Sequence, residues 1–428
     1  MTGRKSNPLD VAIIGGGPSG IAACVELSNA SELRVALFES EQELGGMPRT
    51  CHFFFGMRDR KRIYTGPGYA KRMNNLAWKT AADIHLDTTV LQIVPGHSGD
   101  LHEIQVASPE GFRTFDARII LLATGCYESP LNARMISGPR PAGIFTTGTL
   151  QDLVNSFHLK PGKSALIIGS EIVSLSCAIT LRRAGMSIAG MVEEDDELQT
   201  YPQLANSMSK LIGFPIFKNT TLHSISGVKR VDGVKLIENT TGEIKEVKCD
   251  TIILTGKFRS YSPLIDNTVI GYDPATFGPA VDMNLMTSAP GIFAAGNVLR
   301  GAEMHDLCAL EGKRAAKNII KYLKPNRERV SEYISIKAES PIRYVVPQKI
   351  TQKEIKSYRA SFFSPGPSVQ LEHTLKKGAL EAWSGSQIIW KKPFSKLIAN
   401  TRITLPLNEF DWQKANSNKE IVLKAIVM

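Results

Sequence analysis

Two six-residue turns, and the acids that follow them, are where residue type and spacing first suggest chemistry. Gly15-Gly16-Gly17-Pro18-Ser19-Gly20 lies between an apolar run over 10–14 and a helical spacing over 21–28. A second apolar run over 34–38 closes on Glu39, 19 residues beyond Gly20. Strand, glycine turn, helix, strand and acid together form a dinucleotide site. Gly15 permits the tight turn. Gly17 lets backbone N–H groups approach a pyrophosphate, and Gly20 lets helix and strand pack closely. The helix N-terminus turns partial positive charge toward the phosphates, and Glu39 can accept hydrogen bonds from ribose hydroxyls.

The second turn, Gly169-Ser170-Glu171-Ile172-Val173-Ser174, follows an apolar run over 165–168. A helical stretch over 177–183 and a strand over 186–192 come next, ending at Glu193-Glu194. Glu171 stands at the second glycine's place and Ser174 at the third's. A carboxylate there repels a pyrophosphate and hinders its close approach. The plan predicts a dinucleotide-binding fold whose turn weighs against a bound NAD(P). If one binds, Glu193 or Glu194 suits a free ribose hydroxyl, which favours NAD over NADP.

Fewer residues offer reaction chemistry. Arg49 and Arg58 could hold a substrate carboxylate through two parallel hydrogen bonds. Cys51 beside His52 could be an activated thiol, although neighbours on a strand face opposite ways. His305 could place a proton or positive charge at a helix start, or His305 and Asp306 could cap that helix. Aromatic packing around 53–55 and a solvated basic run over 58–62 are the plain alternatives. The run lacks the interleaved aromatics of a nucleic-acid site.

The elements that must position these groups fit in 428 residues, enough for two to four domains at roughly 100–200 residues each. With 43% hydrophobic and 21% charged residues, the chain is globular. No run approaches the ~20 apolar residues of a membrane span, and the polar start does not read as a signal peptide. The six cysteines include no Cys-x-x-Cys pair, so no metal site and no disulfide framework is expected. A reducing, cytoplasmic setting follows. Of the net charge of +10, +7 falls in residues 331–428, which hold fifteen basic and eight acidic residues.

Apolar runs over 117–125, 249–256 and 291–297 end in small residues, as strands at a ligand-bearing sheet edge do. A helix fits 309–323 and is ended by 324–326. Short β segments fit 333–336, 343–346, 368–371, 387–390, 403–405 and 421–427. The expected fold class is α/β. A first Rossmann-like domain holds 1–155 and 269–330, a second is inserted at 156–268, and a small β-rich module fills 331–428.

These features resemble the FAD-dependent pyridine-nucleotide-disulfide-oxidoreductase superfamily of two-dinucleotide-domain flavoproteins, over about residues 9–325. The resemblance rests on Gly15, Gly17, Gly20 and Glu39, on 43–46, on Ala123-Thr124-Gly125, and on 287–297. It implies that FAD binds the first domain at those residues and at Pro18, Ser19, Gly45, Gly46, Met47 and Val90. It adds Gly296, Asn297 and Asp306, with Asn297 in place of the family's usual aspartate. Without a redox cysteine pair, disulfide reductase activity is not expected. Segments 123–130 and 141–151 look like flavin subunits of opine oxidases, hydrogen cyanide synthase and related amino-acid dehydrogenases. Those subunits carry a cysteine-rich iron–sulfur segment near the C-terminus, and this chain has no cysteine after Cys308.

The resemblance implies hydride transfer between FAD and an amine, amino acid or opine, with a second subunit or acceptor protein taking the electrons. An NAD(P)H-dependent flavoprotein reductase and a non-enzymatic FAD-binding interaction module are the alternatives. A homodimer stays open, and no nucleic acid partner is expected.

Overall fold

A computed structural model describes residues 7–30, 32–97, 100–325, 332–351, 353, 355, 366–415 and 419–427. Asn326, at the expected helix stop, lies outside the described residues. The first sheet is built around Leu9–Ile14, which runs parallel to Val35–Phe38 on one side and to Gly111–Leu122 on the other. Every residue of Val35–Phe38 is buried. An all-apolar strand of this kind needs both of its faces covered. Two helices, Pro18–Ala30 and His305–Tyr322, cover this sheet and pack on each other. A Cβ at Gly312 would stand 2.0 Å from the Ser19 carbonyl oxygen, so only glycine allows that approach. Gly111–Leu122 changes partners along its length. Its first half pairs antiparallel with His102–Ser108, and its last residues pair parallel with Leu9–Ile14 and Ile292–Ala294.

The second sheet has five parallel strands centred on Thr251–Leu254 and Ser164–Ile168, with Ser187–Val192 beyond. Its edge strand is Ile144–Thr146, followed by the helix Thr147–Asn155. The second sheet thus takes in Ile144–Thr146, ahead of the boundary expected between 155 and 156. A three-residue edge strand carries too little periodicity to be read from sequence. The return is early as well, because Ile265 is already in the first core. A two-stranded ribbon, Cys126–Glu128 against Phe258–Ser260, carries the chain between the two units.

Beyond residue 331 come a five-stranded and a three-stranded sheet around a separate core. All six expected segments are found at or near their places. The long strand Leu375–Ser384, in the interior of the larger sheet between Glu420–Val427 and Gln387–Leu397, was not expected. Its sequence mixes Lys, Gly, Ala and Glu, and it is stabilised by neighbours on both sides rather than by its own propensity. The module touches both other units. Lys376 and Lys396 pair with Asp196 and Glu197, and Arg402 pairs with Glu303 at 2.9 Å.

Candidate functional site

The carboxyl edge of the first sheet opens into a groove of about 1530 Å³. Gly15, Gly17, Pro18, Ser19, Glu39, Gly46, Met47, Val90, Ala123, Thr124, Gly125 and Asn297 line it, together with Arg49 and His305. Residues read from separate parts of the sequence thus share one concave surface. The glycine turn has the form its spacing predicts. Gly15 has φ +107°, and a Cβ there would stand 2.4 Å from the Ala123 carbonyl oxygen. A Cβ at Gly20 would strike the Gly15 carbonyl oxygen. At Gly17 nothing lies within 4 Å of a Cβ, so this backbone faces open space. The Ser19 hydroxyl is buried without a partner among the described residues, at the start of the helix Pro18–Ala30. An open cradle, a helix N-terminus and an orphan hydroxyl suit a diphosphate.

Glu39 is 9% exposed on the groove wall. Its Oε2 accepts the Gly16 N–H at 2.7 Å, and its Oε1 accepts the Glu41 N–H and the Ser40 hydroxyl. These bonds fix the carboxylate, while Oε2 keeps acceptor capacity for a ribose hydroxyl. The residues therefore fit FAD, which supplies the hydride chemistry when bound.

Gly20, Gly45, Gly296 and Asp306 support the groove from behind rather than lining it. Gly296 donates its N–H to Glu311, whose carboxylate is paired with Arg300 in the interior at 2.7 Å. Asn297 Oδ1 accepts the Glu303 N–H at 2.9 Å and the Cys308 thiol at 3.0 Å. Asp306 is engaged by Arg58 through both backbone N–H and guanidinium, so Arg58 is a strut and not a free substrate clamp. Asp59 accepts the Tyr69 hydroxyl and pairs with Arg60, so the basic run is partly built into the fold.

The expected reactive groups fare unevenly. His305 opens the helix His305–Tyr322 and stacks edge-on against Phe55 at 4.8 Å, while Met304 is the N-cap. Burial pushes the imidazole down to about 4, so it is neutral at physiological pH. The expected positive charge is corrected to a neutral ring, and neither His305 nor Asp306 is the cap. Cys51 is corrected too. It lies outside the groove, its Sγ 3.3 Å from the Ser176 hydroxyl, and burial pushes the thiol up, away from thiolate. His52 turns instead to Asn155. Arg49 lines the groove, 3.5 Å from Glu41. Sequence reasoning missed Asp87, Thr88 and Thr89 beside Val90, and Asp152 and Asn155 from the second unit's first helix. No local pattern marks them, because they reach the groove only through the fold.

At the second turn, Glu171 is the residue before the helix Ile172–Arg183. Its Oε2 accepts the Thr255 hydroxyl at 2.9 Å and the Ser174 hydroxyl at 3.4 Å. Its Oε1 would stand 1.7 Å from a Cβ at Gly256. The carboxylate thus occupies the space between the turn and Gly256. Glu193, 1% exposed, accepts the Ser170 hydroxyl, the Asp195 N–H and Gln199. Burial pushes its carboxyl up. The adjoining cavity measures about 230 Å³.

Residues 9–314 match the family model described as pyridine nucleotide-disulphide oxidoreductase. The small chain of glutamate synthase [NADPH] from Escherichia coli is 23% identical over 76% of this chain and 70% of its own length. Hydrogen cyanide synthase subunit HcnB from Pseudomonas aeruginosa is 28% identical over 55% of this chain and 50% of its own. Among solved structures, the thioredoxin reductase of T. acidophilum superposes with a TM-score of 0.62 at 22% identity. It covers 73% of this chain and 98% of its own. With the match spanning most of its length and the groove built to take the cofactor, the chain belongs to the pyridine nucleotide-disulphide oxidoreductase family and is an FAD-dependent oxidoreductase.

Proposed function

We propose that this protein is a dehydrogenase that moves hydride from a small organic donor, of the amine, amino-acid or opine type, to FAD in the first groove. The observation that carries this reading is Glu171. Its carboxylate is held by Thr255 and Ser174 where a nicotinamide cofactor's pyrophosphate would have to lie. Electrons entering through the second unit would need that negative plug displaced. A donor entering the first groove needs no such change. Arg49 is the side chain proposed to hold a donor carboxylate, and neutral His305 the group that keeps charge away from the helix start. FAD is proposed to contact the groove residues named above, with Gly20, Gly45, Gly296 and Asp306 acting from behind. The inserted unit then runs from about residue 144 to about 256.

The likeness to HcnB supports a second subunit or acceptor protein as the electron sink. The six free thiols suit a cytoplasmic setting, and among the described residues no helix is long and apolar enough to cross a membrane. The test is an anaerobic absorbance titration of the FAD-loaded protein with NADH, NADPH and then amine, amino-acid and opine donors. Bleaching by an organic donor, with none by either nicotinamide, is expected. Bleaching by NADH or NADPH would overturn the reading in favour of a reductase.

A further inference from the structure

Glu128 is a buried carboxylate that neither glycine turn uses. It ends the ribbon strand Cys126–Glu128, between the two units. Its Oε2 accepts the Gly148 N–H at 2.8 Å, at the start of the helix Thr147–Asn155. Its Oε1 is buried with no hydrogen-bond partner among the described residues. Thr147 Oγ1 and Gln151 Oε1, one helical turn apart on the buried face of that helix, are in the same condition. Interiors rarely leave such atoms dry, and polar pockets of this kind hold ordered water. From Gln151 the polar line continues to Ser176 at 3.0 Å.

The other side of Glu128 is the groove wall. Cys126, two residues earlier on the same strand face, lines the groove, and so does Met47. A Cβ at Gly148 would stand 3.6 Å from Glu128 Oε2 and 3.7 Å from Met47 Cε, so the carboxylate lies about one side chain behind the wall. The ionisable groups that face it are Cys126 on its own strand, Cys177 from the helix Ile172–Arg183, and Arg134 from the turn Leu131–Arg134. Arg134 hydrogen-bonds the carbonyls of Ser129, Thr255 and Gly256, so its donors are largely committed elsewhere.

We infer that Glu128 is the proton-holding residue of the flavin groove: its carboxylate takes a proton from solvent when an electron pair enters the groove and releases it when the pair leaves. The inference rests on the reading that FAD fills the groove. The electron pair comes from the donor and the proton from water, and the only bond made or broken on Glu128 is one O–H bond. Negative charge arriving behind Met47 and Cys126 disfavours a second buried negative charge. Oε1, which accepts no hydrogen bond of normal geometry although the Thr146 and Thr147 hydroxyls lie near the carboxylate, is the place for the incoming proton. Burial pushes the carboxyl up to about 7, so near neutrality a modest field change is enough to move it.

The experiment uses the full-length, FAD-loaded protein reduced by dithionite, so the failure of any organic donor leaves this test unaffected. Redox-difference infrared spectra and indicator-dye proton uptake are recorded near neutral pH. The expected result is a protonated-carboxyl band that grows on reduction, is absent in Glu128→Gln, and is accompanied by proton uptake reduced by up to one per flavin. The same band and uptake in Glu128→Gln would overturn the inference. If that variant does not take up FAD, Glu128→Asp serves instead, because it keeps a carboxyl in a changed position. A shifted band then supports the assignment, and an unshifted band overturns it. Wild-type protein that takes up no FAD would remove the inference together with the reading beneath it.

Discussion

The two glycine turns of this chain share a backbone plan and differ in what fills the space above them. Gly15 and Gly169 both turn at positive φ, +107° and +115°. Both turns end in an acid at the close of the next strand, Glu39 or Glu193. At the first turn Gly17 faces open space, and Glu39 is bound by a backbone N–H on the groove wall. At the second, the Glu171 carboxylate fills the space beside Gly256 and accepts the Thr255 hydroxyl, and the Ser170 hydroxyl donates to Glu193. Ser174, where Gly20 stands in the first turn, is buried and bonded to Thr255 at 2.8 Å. The difference teaches that strand–helix packing and pyrophosphate binding ask different things of the same turn. Packing asks only for a small residue at the third position, whereas a pyrophosphate needs an uncharged, open second position.

The largest expected effect comes from moving the plug to the first turn. Gly17→Glu places like charge against the diphosphate, worth about 4 kcal/mol at 4 Å in a partly screened site. FAD affinity, read by flavin fluorescence on titration, should fall by more than ~100-fold. A variant that loads FAD normally would break the comparison. The reverse change is smaller, because opening a turn restores space but not every contact. Glu171→Gly combined with Ser174→Gly should let NADH bleach the flavin, with apparent affinity at least ~10-fold above that of the parent chain. Stopped-flow absorbance would show it.

Glu39→Gln keeps the shape and removes the charge. The loss of charge-assisted hydrogen bonding, about 1.5–3 kcal/mol, should weaken FAD binding by ~10-fold or more while the fold persists in circular dichroism. The smallest effect concerns Glu193. Burial raises its folded pKa, so the native state holds this proton to higher pH than the unfolded chain does. Stability from this group is therefore present at low pH and is lost as pH rises from the unfolded value through the folded one. Glu193→Gln does not titrate, so its Tm relative to wild type should rise between pH 5 and pH 8. An unchanged difference would show that Ser170 and Gln199 fully compensate the buried charge.

Much of this was legible in the sequence because it was local. The run over 10–14, the turn, the helix and Glu39 form a contiguous signal, and the substitution of Glu171 for glycine is visible in one line of residues. The helix at 305–322 was expected to start later, with His305 and Asp306 as its possible cap, whereas it takes in both and Met304 is the cap. Leu375–Ser384 was hidden because it is held by partners and not by propensity. Cys51 and Arg58 were misread for one reason: their partners, Ser176 and Asp306, are 125 and 248 residues away.

The sequence by itself determined the two Rossmann-like turns, the α/β class, and the charge conflict at Glu171, because glycine geometry and like-charge repulsion act over a few residues. Only the tertiary structure decided that Arg58 is a strut, that His305 is neutral, that Asp152 and Asn155 reach the first groove, and that Glu128 stands behind its wall with one oxygen unpartnered among the described residues. Burial and the identity of a partner across a fold arise from long-range packing, and no local spacing records them.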